Sequence, residues 1–201
     1  MLAGELYRLL MAGGTRDSDF CRHVLACPLA LAHGESGRKL DVALGLSAND
    51  VTSLLLCYFP HAAAFLADRF SFDGQGDQPV SLEEPDLRTL LRANASQDGP
   101  QAVWLAHIVA RRSLESNHLW QDLGFIDRTD LSRLMRDYFA PLAQANARDM
   151  KWKKFFYREL CQQEGMSICK SPVCDSCPDF SICFSREDGP SLLAQIARAA
   201  V

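Results

Sequence analysis

Four of the chain's eight cysteines fall within one short segment, 169–183, which reads CKSPVCDSCPDFSIC. The spacing is C-x4-C-x2-C-x5-C, carried by Cys169, Cys174, Cys177 and Cys183. The segment also contains two prolines and several Ser and Asp residues, so we expect its backbone to turn repeatedly and to bury little apolar surface. A bound metal centre would give it one shape, because the free energy of binding also orders the backbone.

Three kinds of site fit closely spaced thiols. Structural zinc sites usually have two C-x2-4-C pairs separated by a longer spacer, whereas here a single C-x2-C pair has one further cysteine on each side. Four thiolates from one contiguous run, with unequal gaps, suit a cubane iron–sulfur cluster. Disulfides rank third, because a reducing compartment keeps thiols reduced. The spacing therefore favours an iron–sulfur cluster and leaves zinc as the alternative.

Composition limits the location and the partners. The chain has 201 residues and a net charge of −4, which argues against a general nucleic-acid binder because phosphate-tracking surfaces are usually basic. Glu5 and Arg8 interrupt the apolar run that a signal peptide would need. The longest uncharged stretch, 51–67, contains Pro60 and is marginal in length for a membrane span. We therefore predict a cytoplasmic protein with no nucleic-acid or membrane partner.

Apolar residues recur at helical spacing along most of the chain, and no window alternates long enough to propose a sheet. We predict an all-α fold with a single helical domain, 1–163. An irregular cysteine-rich iron–sulfur cluster loop, 164–188, would pack on it. A short C-terminal helix or tail, 189–201, would follow.

Local signals predict how several helices begin or break. Asn49 and Thr129 are predicted N-caps. Ser81 and Glu84 have the spacing of a capping box. Pro28 is predicted to kink or divide the second helix.

Three blocks of the sequence resemble the NifQ family. They are NHLWQDLGF (117–125), MKWKKFFYRELC (150–161) and CKSPVCDSCPDFSICF (169–184). The N-terminal half is similar to the family more loosely. Together the blocks are specific, whereas the cysteine spacing alone would not be.

The resemblance implies a metal carrier and not an enzyme, and leaves open whether it assists molybdate reduction. Such a metallochaperone would hold molybdenum in a Mo–Fe–S cluster of the MoFe3S4 type, built on an Fe–S precursor cluster. It would donate the molybdenum to iron–molybdenum cofactor biosynthesis in nitrogen fixation. The implied partners are a NifEN-type scaffold complex, NifH, and molybdate or another molybdenum source. The implied ligands are Cys169, Cys174, Cys177 and Cys183, with His118 and Cys161 as additional candidates.

A helical DNA-repair glycosylase with a structural 4Fe–4S cluster is the alternative, because such enzymes also carry a cluster loop after a helical body. The chain has no Gly-rich hairpin of the LPGVG kind and no convincing catalytic Lys and Asp beside one. Its acidic balance also opposes this function.

Charges near the cysteines are unevenly distributed. Residues 148–170 carry a net +3 and residues 175–188 a net −3. Positive charge would help to hold an anionic cluster or molybdate, and we predict that Lys153 and Lys154 orient a partner protein. The alternative is an ordinary solvated helix face opposite a buried apolar stripe. That stripe contains Trp152, Phe155, Phe156 and Leu160.

The other cysteines and histidines show no ligand spacing. Cys57 is predicted to lie in the core. Cys21 and Cys27 are expected on different faces of a helix, so we predict no shared metal for them.

Overall fold

The computed structural model describes residues 1–13, 19–35, 37–69, 76–163, 165, 174–193 and 195. Within these ranges the structure contains helices, turns and loops but no strand. In chain order the helices are α1 (Ala3–Ala12), α2 (Asp19–Gly34), α3 (Leu40–Leu44), α4 (Ala48–Tyr58), α5 (Pro60–Leu66), α6 (Glu84–Ala93), α7 (Pro100–Ser113), α8 (Leu119–Asp122), α9 (Arg128–Tyr138), α10 (Ala140–Ala145), α11 (Trp152–Gln163) and α12 (Phe180–Phe184).

The core is built around α2 and α7, which are buried along much of their length. Helix α1 packs along α2, α6 packs along α7, and α3 contacts both central helices. Helix α11 contacts α6 and buries the predicted stripe, since Trp152, Phe155 and Phe156 are all at most 4% exposed. The prediction of an all-α single domain is confirmed for the described residues.

Helix α2 is not divided at Pro28. It runs without a break from Asp19 to Gly34 and is buried on nearly every side between Cys21 and Ala32. Tertiary packing supplies most of the stability of a protein helix, so it can tolerate the one backbone hydrogen bond that proline removes.

Two predicted N-caps are displaced by two residues. Helix α4 is capped by Ser47, whose Oγ accepts from the amide of Asp50 at 3.1 Å. Helix α9 is capped by Asp127, whose Oδ1 accepts from the amide of Thr129 at 2.7 Å. Several residues suited to capping stand near each helix start, and the sequence alone does not choose among them.

The predicted capping box at Ser81 and Glu84 is wrong. The Glu84 carboxylate is fully buried, and its Oε1 accepts from Arg88 Nη2 at 2.5 Å and from Arg111 Nε at 2.9 Å. Oε1 therefore forms a long-range ion pair with α7, while Oε2 accepts from the amide of Val80 at 2.9 Å and not from that of Ser81.

Among the described helices, none combines the length and the apolar character that crossing a bilayer requires. The boundaries predicted at 163/164 and 188/189 stay predictions. Residues 164 and 166–173 lie outside the described residues.

Candidate metal-cluster site

Three of the four clustered cysteines lie on two successive tight turns. Cys174 opens a 3₁₀ turn, Cys174–Ser176, and the amide of Cys177 donates to the Cys174 carbonyl at 3.0 Å. Cys183 lies on α12, and its amide donates to Asp179 O at 3.2 Å. Cys169 lies outside the described residues. The segment predicted to be irregular therefore contains short helical turns.

The three described cysteines of this run are half-buried. Cys174 and Cys183 pack against the edge of the hydrophobic core. Within the described ranges, no three or more His, Cys, Asp or Glu side chains are grouped so as to hold a single metal ion. The donor set nevertheless consists of soft thiols, which suit iron, zinc and iron–sulfur clusters.

Arg148 fastens the first turn to the loop before α11. Its guanidinium forms an ion pair with Asp175. It also lies 5.3 Å from the ring centroid of Phe184 and 6.0 Å from that of Phe180. The two rings stack on each other with centroids 4.6 Å apart. One arginine thus contacts both cysteine-bearing turns, although its ion pair with Asp175 is solvent-exposed and contributes little stability.

The start of α11 fastens Cys183 directly. The amide of Lys151 donates to the Cys183 carbonyl at 2.8 Å, and Lys151 Nζ donates to Ser185 Oγ at 2.8 Å. The N-terminal end of a helix carries partial positive charge. The backbone carbonyl of Cys183 is therefore held at the positive N-terminal end of α11.

Glu187 lies four residues beyond Cys183 and is a buried anchor for the chain there. Its side chain is 4% exposed and lies between two donors. Arg128 Nη1 donates to Glu187 Oε2 at 2.5 Å, and His118 Nδ1 lies 3.1 Å from Glu187 Oε1. Arg128 also pairs with Asp149 at 2.7 Å. This network joins the segment after the cysteines to the N-terminal ends of α8 and α9.

Gly189 and Pro190 complete the attachment. The Pro190 carbonyl accepts from Gln121 Nε2 at 2.9 Å. Gly189 has φ +149°, and a Cβ there would lie 2.7 Å from Gln121 Nε2. The positive φ favours glycine here, whereas the end of the flexible Gln121 side chain could move away from a Cβ.

Two of the quoted blocks hold the third or the chain just beyond it. Block 150–161 contacts the cysteine block through Lys151 and Cys183, and block 117–125 contacts the following residues through His118–Glu187 and Gln121–Pro190. Contacts between parts of the chain this far apart are set by the fold as a whole.

Comparison with known proteins decides the family. The NifQ family profile matches residues 24–185. The chain belongs to the NifQ family. It is 38% identical over 178 residues to the "Protein NifQ homolog" of Sinorhizobium fredii, covering 87% of this chain and 76% of that protein. No solved structure matches the chain.

Two further relatives are both named "Protein NifQ". The one from Rhodobacter capsulatus is 40% identical over 153 residues, covering 73% of this chain and 78% of the relative. The one from Azotobacter vinelandii is 44% identical over 158 residues, covering 74% and 80%. Membership of the NifQ family implies a role in the biosynthesis of the nitrogenase iron–molybdenum cofactor.

The two additional candidate ligands of this NifQ-family chain have defined surroundings. His118 directs Nδ1 to the Glu187 carboxylate. Cys161 is buried and lies near the opposite end of α11 from the contact with Cys183, about 15 Å along the helix axis from Lys151. A ligand role for either residue stays a prediction.

Outside the run, the NifQ-family chain has a cluster that the spacing argument missed. Cys27 Sγ lies 3.5 Å from His23 Nδ1, which lies 2.9 Å from Tyr7 Oη, and His23 Nε2 lies 3.3 Å from Asp130 Oδ2. Cys27 and His23 are four residues apart on α2, a spacing that could have revealed the pair.

This buried group is poorly suited to thiolate chemistry. Burial raises the pKa of the Cys27 thiol, and the nearby Asp130 carboxylate raises that pKa further. Burial, together with Cys27 and Asp130, raises the pKa of Tyr7 to about 12. Both groups therefore keep their protons at neutral pH. Cys57, in contrast, is exposed on α4, so its predicted core position is wrong.

The prediction that Lys153 and Lys154 act together in docking needs correction. Lys153 Nζ donates to Asp122 Oδ2 at 2.6 Å and to the Glu115 carbonyl at 2.6 Å, and Asp122 is 2% exposed. Lys154 is exposed. Lys153 is thus a structural cation that joins α11 to α8, and of these two lysines only Lys154 lies on the solvated face.

We expect Lys153→Glu to lower the free energy of unfolding by on the order of 3 kcal/mol, because it breaks a largely buried pair and places a second carboxylate beside Asp122. Lys154→Glu should change this free energy by no more than about 0.5 kcal/mol. Urea denaturation of both variants checks the difference. Equal stability of the two variants would contradict the structural role of Lys153.

Proposed function

We propose that this protein carries molybdenum in a Mo–Fe–S cluster bound by Cys169, Cys174, Cys177 and Cys183, and donates it to iron–molybdenum cofactor assembly. The observation that best supports this proposal is that the two other family blocks hold the cysteine segment or the chain just beyond it. Lys151 fastens Cys183, and His118 contacts Glu187 just beyond it. Anchoring of this kind is expected where several thiols must keep fixed positions around one cargo.

The donor chemistry supports a reduced cargo. Thiolates and sulfide are soft ligands that hold iron and can hold reduced molybdenum, whereas molybdate is a hard oxyanion. The three described thiols of the run are half-buried. Partial burial shields a cluster from solvent, while partial exposure leaves it within reach of an acceptor.

Ligand requirements suggest how release would occur. In a MoFe3S4 cargo three iron corners would each take one thiolate, and molybdenum prefers more ligands than iron does. Its corner would need the fourth cysteine together with oxygen or nitrogen ligands, or would stay partly open for an acceptor. His118 is our candidate nitrogen ligand. Glu187 would then orient the ring through Nδ1, as carboxylates commonly do for metal-bound histidines.

The proposed partners follow from the role of a donor. The recipient would be a NifEN-type scaffold complex, with NifH taking part, and molybdate would be the source of the metal. We propose a carrier and not an enzyme, working in the cytoplasm, where thiols stay reduced before they bind metal.

Metal content tests this proposal. We expect the full chain, produced with molybdate and purified without air, to contain iron, inorganic sulfide and molybdenum. The measurement is elemental analysis of the protein peak combined with a sulfide assay. Thiolate-bound iron–sulfur clusters should also give visible absorption that disappears on chelation of the iron.

Two other results would contradict the proposal in different ways. Stoichiometric zinc without sulfide would show that the cysteines hold a structural zinc ion and not a cluster. Iron and sulfide without molybdenum, from cells supplied with molybdate, would remove the donor role and leave a bound iron–sulfur cluster.

A further inference from the structure

From residue 51 onward, the solvent-facing side of α4 and α5 carries no Asp, Glu, Lys or Arg. The two helices follow each other directly, with Phe59 between them, and the sequence 51–67 contains none of these four residue types. Residues 52–53, 56–57, 60–61 and 64–65 are exposed. Because these pairs recur every four residues, those on one helix share one face of it. We call these eight exposed residues the uncharged face.

Two large apolar side chains project from the uncharged face. Leu56 on α4 is 59% exposed and Phe65 on α5 is 51% exposed. Next to Leu56 lies the exposed thiol of Cys57. A surface helix ordinarily places charged and polar residues opposite the stripe that faces the core. A helix that is apolar towards the core and uncharged towards solvent is typical of one that is covered on both sides.

The position of the uncharged face separates it from the cysteine run. Helices α4 and α5 pack on α1, α3 and α7, whereas Cys183 is held by the start of α11. A partner on this face would therefore contact residues other than those proposed to bind the cluster.

The lack of charge indicates which partner suits this face. Membrane-surface helices and nucleic-acid contacts rely on Lys and Arg, and a charged protein surface would find no opposite charge here. In a two-fold interface the same residues of both copies lie opposite each other, so a charge near the axis meets a like charge. An uncharged face avoids this repulsion between two copies of a chain whose net charge is −4.

We propose that two copies of the chain pair through the uncharged face about a two-fold axis, with Leu56 and Phe65 as apolar anchors. The cores of protein interfaces are depleted in charged residues, as this face is. Standard interfaces use about 20–30 residues on each side, whereas this face offers eight. We therefore expect a weak, reversible dimer with a Kd on the order of 10 μM.

Sedimentation velocity of the full chain, purified without air and kept under a reductant so that disulfides do not form, tests the pairing. From about 1 to about 100 μM the sedimentation coefficient should rise from that of a monomer towards that of a dimer, because this range brackets the expected Kd. Leu56→Asp and Phe65→Asp each place a carboxylate in the interface on both copies, so each should weaken dimerisation about tenfold or more. Leu82→Asp is the matched control, because Leu82 is 95% exposed but lies just before α6, outside the uncharged face. This variant should dimerise as the wild type does.

Three results would overturn the pairing. The first is a wild type that sediments as a monomer at every concentration. The second is a dimer that persists in folded Leu56→Asp and Phe65→Asp, or that is lost equally in Leu82→Asp. The third is a monomeric wild type that binds phosphatidylcholine vesicles or the cofactor scaffold complex and loses this binding in Leu56→Asp, which would assign the face to that partner and not to a second copy.

Discussion

Changing any one of Cys169, Cys174, Cys177 and Cys183 to alanine is expected to cut bound iron and molybdenum severely and to abolish molybdenum delivery. The physical reason is that each thiolate would bind one corner of the cluster. A missing corner ligand leaves a metal open to solvent and to chelators, and metal binding also orders the segment. The measurement is metal content after anaerobic purification, followed by a transfer assay to the cofactor scaffold complex.

Cys57→Ala is the matched control for these variants. Cys57 is exposed on α4, so its removal should affect neither metal content nor stability. Cys27→Ala removes a buried thiol and should cost about 1–3 kcal/mol of unfolding free energy without loss of metal. Metal loss from Cys57→Ala equal to that from Cys177→Ala would show that the site is assigned to the wrong cysteines.

Glu187→Ala is expected to release the cysteine segment from the helical domain. It leaves Arg128 without its buried partner and removes the carboxylate beside His118. Breaking a fully buried pair costs ~3–5 kcal/mol. Because the Arg128 side chain is 19% exposed and can be rehydrated, we expect a loss of about 2 kcal/mol here. Bound metal should fall severalfold, because the free energy of cluster binding would then also have to order a segment that is no longer held by Glu187.

Hydrogen exchange of residues 174–193 and metal retention under a chelator measure this effect. Asp188→Ala is the matched control: it is the next residue, and its only described ion pair is the exposed one with Arg186. It should change neither quantity. If Glu187→Ala kept as much metal and as much exchange protection as Asp188→Ala, Glu187 would be excluded as the anchor.

Local patterns in the sequence predicted the features that depend on neighbouring residues. The apolar stripe of α11 is buried as its helical spacing indicates, with Phe156 fully buried. The helical fold follows from the same periodicity, and the three family blocks identified the family. Helix starts were less certain, because Ser47 and Asn49 both suit a cap and only the backbone path selects Ser47.

Side chains that act over long range required the structure. Glu84 was predicted to cap a helix but pairs with Arg111 from another helix. Lys153 was predicted to face a partner but pairs with buried Asp122. Cys57 was predicted to be buried, yet Leu54 and Leu55 occupy the core-facing side of α4. Spacing along one helix shows which residues share a face, but not which charges of distant segments meet.

By itself the sequence determined the helical architecture, the family and the set of clustered thiols, because periodicity and motif spacing are local properties of the chain. Tertiary structure decided that Lys151 holds the backbone of Cys183 and that Glu187, four residues further along the chain, pairs with Arg128. These arrangements depend on burial and on contacts between segments far apart in sequence. Both arise only when the helices pack around a common core.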